Sequence, residues 1–151
     1  MLVCAGPGHY EFRKCSSTGG MTYTSYPSVQ ETPGMIATIA PTCSTSDSGA
    51  RGHVSWSNGS VFNTGVTTAN TPNSKVILKD FGPYSWDLVT VDEDQGGPVF
   101  ACLTADSYHP GGVNTLMGDG SVRFTKDSVN SVAWRALSSI AGGEVISSDS
   151  Y

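Results

Sequence analysis

The chain has 151 residues, and 13 acidic against 8 basic side chains give it a net charge of −5. Proteins that bind nucleic acids or anionic membranes cluster Lys and Arg against phosphates. The bases here stand singly or in pairs, such as Arg13-Lys14. Composition and charge therefore argue against a nucleic-acid partner and against binding to an anionic membrane surface. The longest nearly apolar stretch, residues 35–40, falls far short of the about 20 residues of a membrane-spanning helix, so we expect no span.

Hydroxyl groups rather than charges make the chain polar. It contains 21 Ser and 15 Thr, whereas only 14% of its residues are charged, against about 25% in a typical soluble domain. With 18 Gly, this mixture is typical of strands and turns that present a neutral, hydrogen-bonding face to solvent. The length suits one domain with its own core, so we expect a single domain over residues 1–151.

Four cysteines, Cys4, Cys15, Cys43 and Cys102, allow three pairings if all are bridged. Their spacing lacks the C-x-x-C pattern of zinc ribbons and redox sites. The Ser-, Thr- and Gly-rich, Lys-poor composition fits an exported protein, in which disulfides persist. We expect one or two disulfides, with Cys4–Cys15 as the favoured pair. Some of the four could instead be small buried apolar residues.

Residues 1–49 are expected to be largely irregular. Two short runs of strand-forming residues interrupt them, at residues 21–26 and 35–40, and each is ended by a proline, Pro27 or Pro41. Residues 42–50 have the composition of a loop.

A hairpin is predicted next, because Asn58-Gly59 separates the alternating residues 52–57 from residues 60–63. Asn-Gly is the strongest short hairpin signal, since both central residues of a type I′ turn need a positive φ. Three further strands are expected at residues 75–81, 86–91 and 98–104.

The second predicted hairpin has Asp119-Gly120 as a two-residue turn between residues 113–118 and 121–125. Because a strand has a side-chain period of two, this register places Leu116 and Arg123 on one face. The opposite face is then made of Val113, Thr115, Met117, Val122 and Phe124.

One helix is predicted, over about residues 128–141, with Asp127 or Ser128 as its N-cap and Gly142-Gly143 as its end. Its apolar residues recur at helical spacing: Val129, Val132, Ala133, Ala136, Leu137 and Ile140. The expected fold is α+β and mainly β, with antiparallel sheets of hairpins and this amphipathic helix packed on a sheet.

An acidic turn precedes the last of the three middle strands. Asp92, Glu93 and Asp94 could offer oxygen ligands to Ca²⁺, but they lack the spacing of an EF-hand loop. A solvated turn is the preferred interpretation, and we expect no cofactor other than this candidate calcium ion.

The three histidines raise the question of catalysis. We expect His109 and Asn114 to organise the second hairpin, with the imidazole hydrogen-bonded to backbone at the loop before it. A hydrolase built on His109 or His53 with a nearby acid is an alternative, although no G-x-S-x-G or H-E-x-x-H motif is present. The aromatic residues could form a sugar-stacking platform, although core packing is the preferred role: Tyr23, Tyr26, Trp56, Trp86 and Trp134.

Residues 109–124 contain His109, nine further residues and then Asp119-Gly120, with Gly111 and Gly112 after the histidine. This motif resembles the C-terminal signature of a large bacterial family of unknown function whose label sometimes mentions solute binding. Trp134-Arg-Ala-Leu, Gly142-Gly-Glu-Val-Ile and Gly52-His-Val-Ser-Trp resemble other parts of that family. The resemblance covers roughly residues 50–151, which would form a β-rich head.

Members of that family typically begin with a prepilin leader and a long apolar helix, as type IV pilins and type II secretion pseudopilins do. The resemblance therefore implies a non-catalytic, exported head domain at the cell surface, structural or adhesive. Its partners would be other pilin-like subunits or surface polymers, in a homo-oligomer or filament of the full-length form. Since the apolar helix is absent here, we expect a fragment or a stand-alone head. An extracellular carbohydrate- or solute-binding module, Ca²⁺-dependent or not, is the alternative.

Overall fold

The computed structural model describes residues 10–16, 31–43, 51–52, 57, 65–74, 76–77, 85–90, 101–139 and 142–147. These residues are α+β and mainly β, as predicted. In chain order the elements are β1 (Tyr10–Cys15), α1 (Thr32–Ile39), a 3-10 helix (Ala40–Thr42), β2 (Arg51–Gly52), β3 (Val76–Ile77), β4 (Ser85–Thr90), β5 (Ala101–Cys102), β6 (Gly112–Leu116), β7 (Val122–Lys126) and α2 (Ser131–Ala136).

Strand β4 is the centre of a five-stranded sheet. It pairs with β1 in parallel, with Phe12 opposite Asp87, and with β3 and β5 in antiparallel ladders; β2 pairs with β1. A parallel pair needs a long crossover connection, and the chain between β1 and β4 includes α1. The strands predicted at residues 75–81, 86–91 and 98–104 contain β3, β4 and β5, apart from Ser85 at the start of β4.

The prediction for residues 1–49 is wrong in two places. Residues 10–15 form β1, and residues 35–40, predicted as a strand, lie mostly in α1. Pro33 lies in the first turn of α1, where its missing N–H removes no hydrogen bond. Ile36 and Ile39 are three residues apart and share the buried face. A short apolar run fits either structure, so burial on one helical face decided the outcome. Residues 21–26 lie outside the described residues, as does most of the first predicted hairpin.

The first core joins α1 to the five-stranded sheet. A disulfide at its centre links Cys15 at the end of β1 to Cys43 after the 3-10 helix. The cross-link spans 28 residues of sequence, and closing a loop of that size is worth about 3–4 kcal/mol in the chain-entropy model. The predicted pair Cys4–Cys15 is therefore wrong, and Cys4 lies outside the described residues. The buried members are Cys15, Ile36, Ile39, Cys43, Leu88 and Cys102.

Cys102 is a buried free thiol in this core. It lies on β5 opposite Leu88, whereas Cys15 lies on β1 opposite Thr90, so β4 separates the two cysteines. Two strand spacings amount to about 9–10 Å, beyond the span of a disulfide. Burial, followed by the charge of Asp87, raises the pKa of the Cys102 thiol. Because the thiolate is the reactive form, Cys102 is chemically protected.

Strands β6 and β7 form the second predicted hairpin, but the register differs by one residue. Leu116 pairs with Val122, and the loop between them is closed by Met117 N donating to Ser121 O at 2.8 Å and Gly120 N donating to Met117 O at 3.0 Å. Gly120 has a φ of +83°, which matches the three-residue hairpin loop that ends in a left-handed glycine. The prediction of a two-residue turn is therefore wrong, although Gly120 does supply the left-handed residue.

The extra loop residue changes which side chains share a face. Val122 and Phe124, predicted to lie beside Val113, lie instead on the same face as Leu116. The inner face carries Val113, Thr115 and Thr125, all buried, while Leu116, Val122 and Phe124 are exposed. A shift of one residue exchanges the two faces of a strand, so the loop length alone accounts for the difference.

Helix α2 packs on the inner face of this hairpin. It is shorter than predicted, and its N-cap is Asn130, whose side chain accepts from the backbone of Val132 and Ala133. Trp134 is only 1% exposed, whereas Val132, which was assigned to the apolar stripe, is 43% exposed. The second core contains Ala105, Val113, Val129 and Trp134, with Val66 and Leu137 beside it.

We expect Gly120→Val to destabilise the protein by about 1–2 kcal/mol, because a side chain resists the left-handed conformation. The nearest heavy atoms would leave room for a Cβ at this position, so the cost comes from the backbone. In a chain of this length, thermal unfolding should shift down by about 2–4 °C per kcal/mol. Gly118→Ala is the matched control, since Gly118 also has open space and is not among the positive-φ residues. Equal melting temperatures for the two variants would contradict the turn assignment.

Candidate functional site

The loop that leads into β6 is held by one asparagine. Asn73 has a φ of 55°, and its backbone N donates to Ala105 O at 2.9 Å. Its side-chain Oδ1 accepts from Ser107 N at 2.8 Å, and its Nδ2 donates to Asp127 Oδ1 at 2.7 Å. Asn is one of the few residues that tolerate the left-handed region. Asn73 thereby fixes the start of the loop and the end of β7 to each other.

His109 is presented by this loop rather than enclosed by it. Its backbone N donates to Ser107 Oγ at 3.0 Å, and its side chain is exposed. The expected hydrogen bond from the imidazole to backbone is not found among the described residues. Tyr108 beside it is 71% exposed. The loop thus displays a tyrosine and a histidine on a fixed backbone.

Gly111 and Gly112 are required for different reasons. Gly111 has a φ of +85°, and its carbonyl accepts from Asp127 N at 2.9 Å. A Cβ on Gly112 would collide with Thr125 O and with the ring of Phe124. The Phe124 ring therefore covers the backbone of Gly112, as aromatic residues cover glycines in adjacent strands. Both glycines serve the entry of the chain into β6.

Asp119 is used by the hairpin loop. Its Oδ1 accepts from Ser121 N at 2.9 Å and from Ser121 Oγ at 2.7 Å. These hydrogen bonds, and the nearby charge of Arg123, lower the pKa of the Asp119 carboxyl. Asn114 lies exposed opposite Phe124 on the outer face, with no hydrogen bond to another described residue. Of the motif residues, Asp119 and the glycines shape the hairpin, and the side chains of His109 and Asn114 face solvent.

A buried polar network lies away from the motif, between the two cores. Asp87 is fully buried on β4, and its Oδ1 accepts from Thr104 Oγ1 at 2.7 Å and Thr104 N at 3.1 Å. Asn70 Nδ2 donates to Thr104 Oγ1 at 3.3 Å and to Cys102 Sγ at 3.2 Å. The network joins the irregular segment 65–74 to β4 and to the chain at and after β5.

Helix α2 completes this network from the other side. Trp134 Nε1 donates to Asn70 O at 2.7 Å. Arg135 donates to Ala69 O from Nε at 3.2 Å and from Nη2 at 3.0 Å, and desolvation lowers the pKa of its guanidinium. Segment 65–74 has no regular structure to satisfy these carbonyls, so two side chains of α2 do so. The Trp134-Arg135 pair is thus structural, and Trp134 is too buried to belong to a sugar-stacking platform.

Sequence reasoning missed Asn70, Asp87 and Thr104. The available signal was an acidic residue inside a predicted strand, since Asp87 stands between Trp86 and Leu88. Buried carboxylates need hydrogen-bond donors, but periodicity gives no hint of which residues supply them. Asn70 belongs to an irregular segment and carries no pattern.

Several candidates cannot be placed on this structure. Asp92, Glu93, Asp94 and His53 lie outside the described residues, as do Tyr23, Tyr26 and Trp56. Within the described ranges, no three His, Cys, Asp or Glu side chains are grouped to hold a metal ion. In the same ranges, no helix is both long enough and apolar enough to cross a bilayer.

We expect Thr104→Val to destabilise the protein by about 2–3 kcal/mol, because a buried carboxylate oxygen loses a hydroxyl donor. Thr104→Ser is the matched control, since it keeps the hydroxyl and removes only the methyl group. Chemical denaturation of both variants measures the difference. A Ser variant that is less stable than the Val variant would contradict a role for the hydroxyl.

The Asp119 carboxyl should titrate below the ordinary value of about 3.9. A carboxyl whose pKa is lowered in the folded state stabilises the fold at pH values above its ordinary pKa. This contribution is lost as the pH falls through the lowered pKa. We expect Ser121→Ala to raise the Asp119 pKa, measured by NMR titration of the carboxyl carbon, while exposed Ser128→Ala leaves it unchanged. An unaltered midpoint in Ser121→Ala would exclude the Ser121 hydroxyl as a cause of the lowered pKa.

Comparison with known proteins gives a family. The family model described as Protein of unknown function (DUF1559) matches residues 31–131. No curated protein and no solved structure matches the chain. The match begins at residue 31, earlier than the resemblance described above, which starts at about residue 50. It includes α1, Asn70, Asp87 and the whole β6–β7 hairpin. Because the match covers more than half of its length, the chain belongs to the DUF1559 family.

Proposed function

We propose that this chain is a non-catalytic head domain, exported to the cell surface, of a pilin- or pseudopilin-like protein. Its role is structural or adhesive, its partners are other pilin-like subunits or surface polymers, and it needs no resident cofactor. Family membership supports only a domain of unknown function, so the support for this proposal comes from the site itself.

The observation that carries the proposal is the use of the His109–Gly120 motif. Asp119 bonds to its own loop through Ser121, Gly120 and Gly111 supply left-handed backbone, and Gly112 accommodates the Phe124 ring. Catalytic motifs bring side chains together around a reacting atom. This motif instead builds a rigid hairpin with an exposed apolar outer face, which suits a surface that contacts other macromolecules.

The Cys15–Cys43 disulfide supports export. It lies in the first core and links β1 to the chain after α1. Structural disulfides persist in oxidising compartments and are rare in the cytosol. The neutral surface, rich in Ser and Thr and poor in charge, agrees with that location.

Surface labelling of intact cells tests the location. Antibody against this chain should label cells of the source bacterium without permeabilisation, and external protease should remove the label. A cytoplasmic protein, followed in parallel, should be labelled only after permeabilisation. Labelling of this chain that requires permeabilisation would refute the proposal.

Thiol trapping in acid-quenched cells gives a second measurement. Cys15 and Cys43 should resist alkylation until a reductant is added, because they are bonded to each other. Cys102 serves as the internal control, since it should react without reductant once the protein is unfolded. Free thiols at Cys15 and Cys43 in quenched cells would contradict residence in an oxidising compartment.

A further inference from the structure

Strand β7 has one edge with which no described strand pairs. In an antiparallel ladder, alternate pairs exchange both backbone hydrogen bonds, and the pairs between them point their N–H and C=O groups outward. Met117 bonds to Ser121 and Asp127 bonds to Gly111 across the hairpin, so the register directs residues 123 and 125 inward. The backbone groups of Val122, Phe124 and Lys126 therefore point away from β6. Among the described residues, no strand pairs with this edge.

The same three residues place their side chains on the outer face of the hairpin. Val122 is 66% exposed and Phe124 is 49% exposed, with Leu116 beside them, and Lys126 is also exposed. An exposed edge with apolar side chains is a template for an added strand, and natural proteins restrict it with charged residues. Lys126 lies on this outer face and would favour an added strand that is anionic, whereas Arg123 lies on the opposite face near Asp119.

The chain itself carries a segment with these properties. Residues 142–147 extend beyond α2, and Val145 is fully exposed. Within it, Gly143 has a φ of +73°, and Glu144 is held by a hydrogen bond from Ser139 Oγ at 2.9 Å. Val145-Ile146 is β-branched, as strands prefer, yet these residues belong to no strand in the structure.

Charge matches the segment to the edge. β7 carries two of the chain's 8 basic residues, Arg123 and Lys126, and no acid. Residues 144–150 contain Glu144 and Asp149 and no base. In a chain with a net charge of −5, the exposed Lys126 of β7 and Glu144 of the segment form a complementary pair.

We propose that residues 144–147 of one copy add to the outer edge of β7 in a second copy, as the third strand of its hairpin. Main-chain hydrogen bonds would supply affinity, and Val145 or Ile146 would pack beside Val122 and Phe124. Because donor and acceptor surfaces differ, the contact is heterologous and can repeat from copy to copy. This inference deepens the proposed function, on which it rests, by naming a second copy of the chain as the partner.

Sedimentation of the purified 151-residue chain tests this contact. We expect concentration-dependent association between about 10 μM and 1 mM, the range of weak contacts. Val145→Asp should weaken association at least about tenfold, equivalent to 1.4 kcal/mol. Because Val145 is fully exposed, the substitution should leave the fold intact. Val132→Asp, on the half-exposed face of α2, is the matched control and should associate like the parent chain. A parent chain that stays monomeric, or a Val145→Asp variant that associates equally well, would overturn the proposal.

A charge exchange tests the direction of the contact. Lys126→Glu and Glu144→Lys should each weaken association, and a mixture of the two single variants should associate more strongly than either alone, because each then meets the other's opposite charge. Amide hydrogen exchange should show protection of Val122, Phe124 and Lys126 that grows with concentration. Protection that is independent of concentration would mean that the edge of β7 is covered within one chain, and it would refute binding by a second copy. Surface labelling fails or succeeds independently of these measurements, so the two proposals can be separated.

Discussion

The packing of the two cores depends on hydrogen bonds to the backbone of an irregular segment that lies between them. Residues 65–74 form neither helix nor strand, so their part-buried carbonyls need donors from elsewhere. Arg135 and Trp134 of α2 bond to the carbonyls of Ala69 and Asn70. Asn70 in turn reaches Thr104, which bonds to the fully buried Asp87. The hydrogen bonds therefore run from α2 to the central strand β4, and they join the hairpin unit to the five-stranded sheet.

This network explains why chemically suggestive residues have structural roles. A buried aspartate, a thiol with a raised pKa and a desolvated arginine are features that elsewhere indicate catalysis. Here Asp87 and Cys102 lie in the interior and Arg135 is half-buried, and all three support backbone and strand contacts. The exposed His109 and Tyr108 stand apart from them, on the loop that Asn73 holds. A shifted pKa shows first that an ionisable group is buried or close to another charge. It indicates catalysis only where several such groups meet in a cleft.

The sequence predicted the class of fold and the position of β3, β4, β5, the second hairpin and the last helix. Alternation and turn residues carry that information locally. The face of Val122 and Phe124 was not predictable, because one additional loop residue exchanges the faces and Asp119-Gly120 suits both loop lengths. The helix at residues 32–39 was missed because a short apolar run fits a helix or a strand, although the three-residue spacing of Ile36 and Ile39 was the available helical signal. The Asn70–Asp87 network depends on contacts distant in sequence, which no local pattern encodes.

The position of the disulfide has a consequence for how the molecule is made. During synthesis a chain emerges from its N-terminus, and early portions can fold before later ones. Cys43, the later of the two, precedes Cys102 by 59 residues of sequence. Their bond can therefore close before Cys102 has emerged. Order of emergence thus keeps Cys102 from competing for either partner, and the first core then buries its thiol.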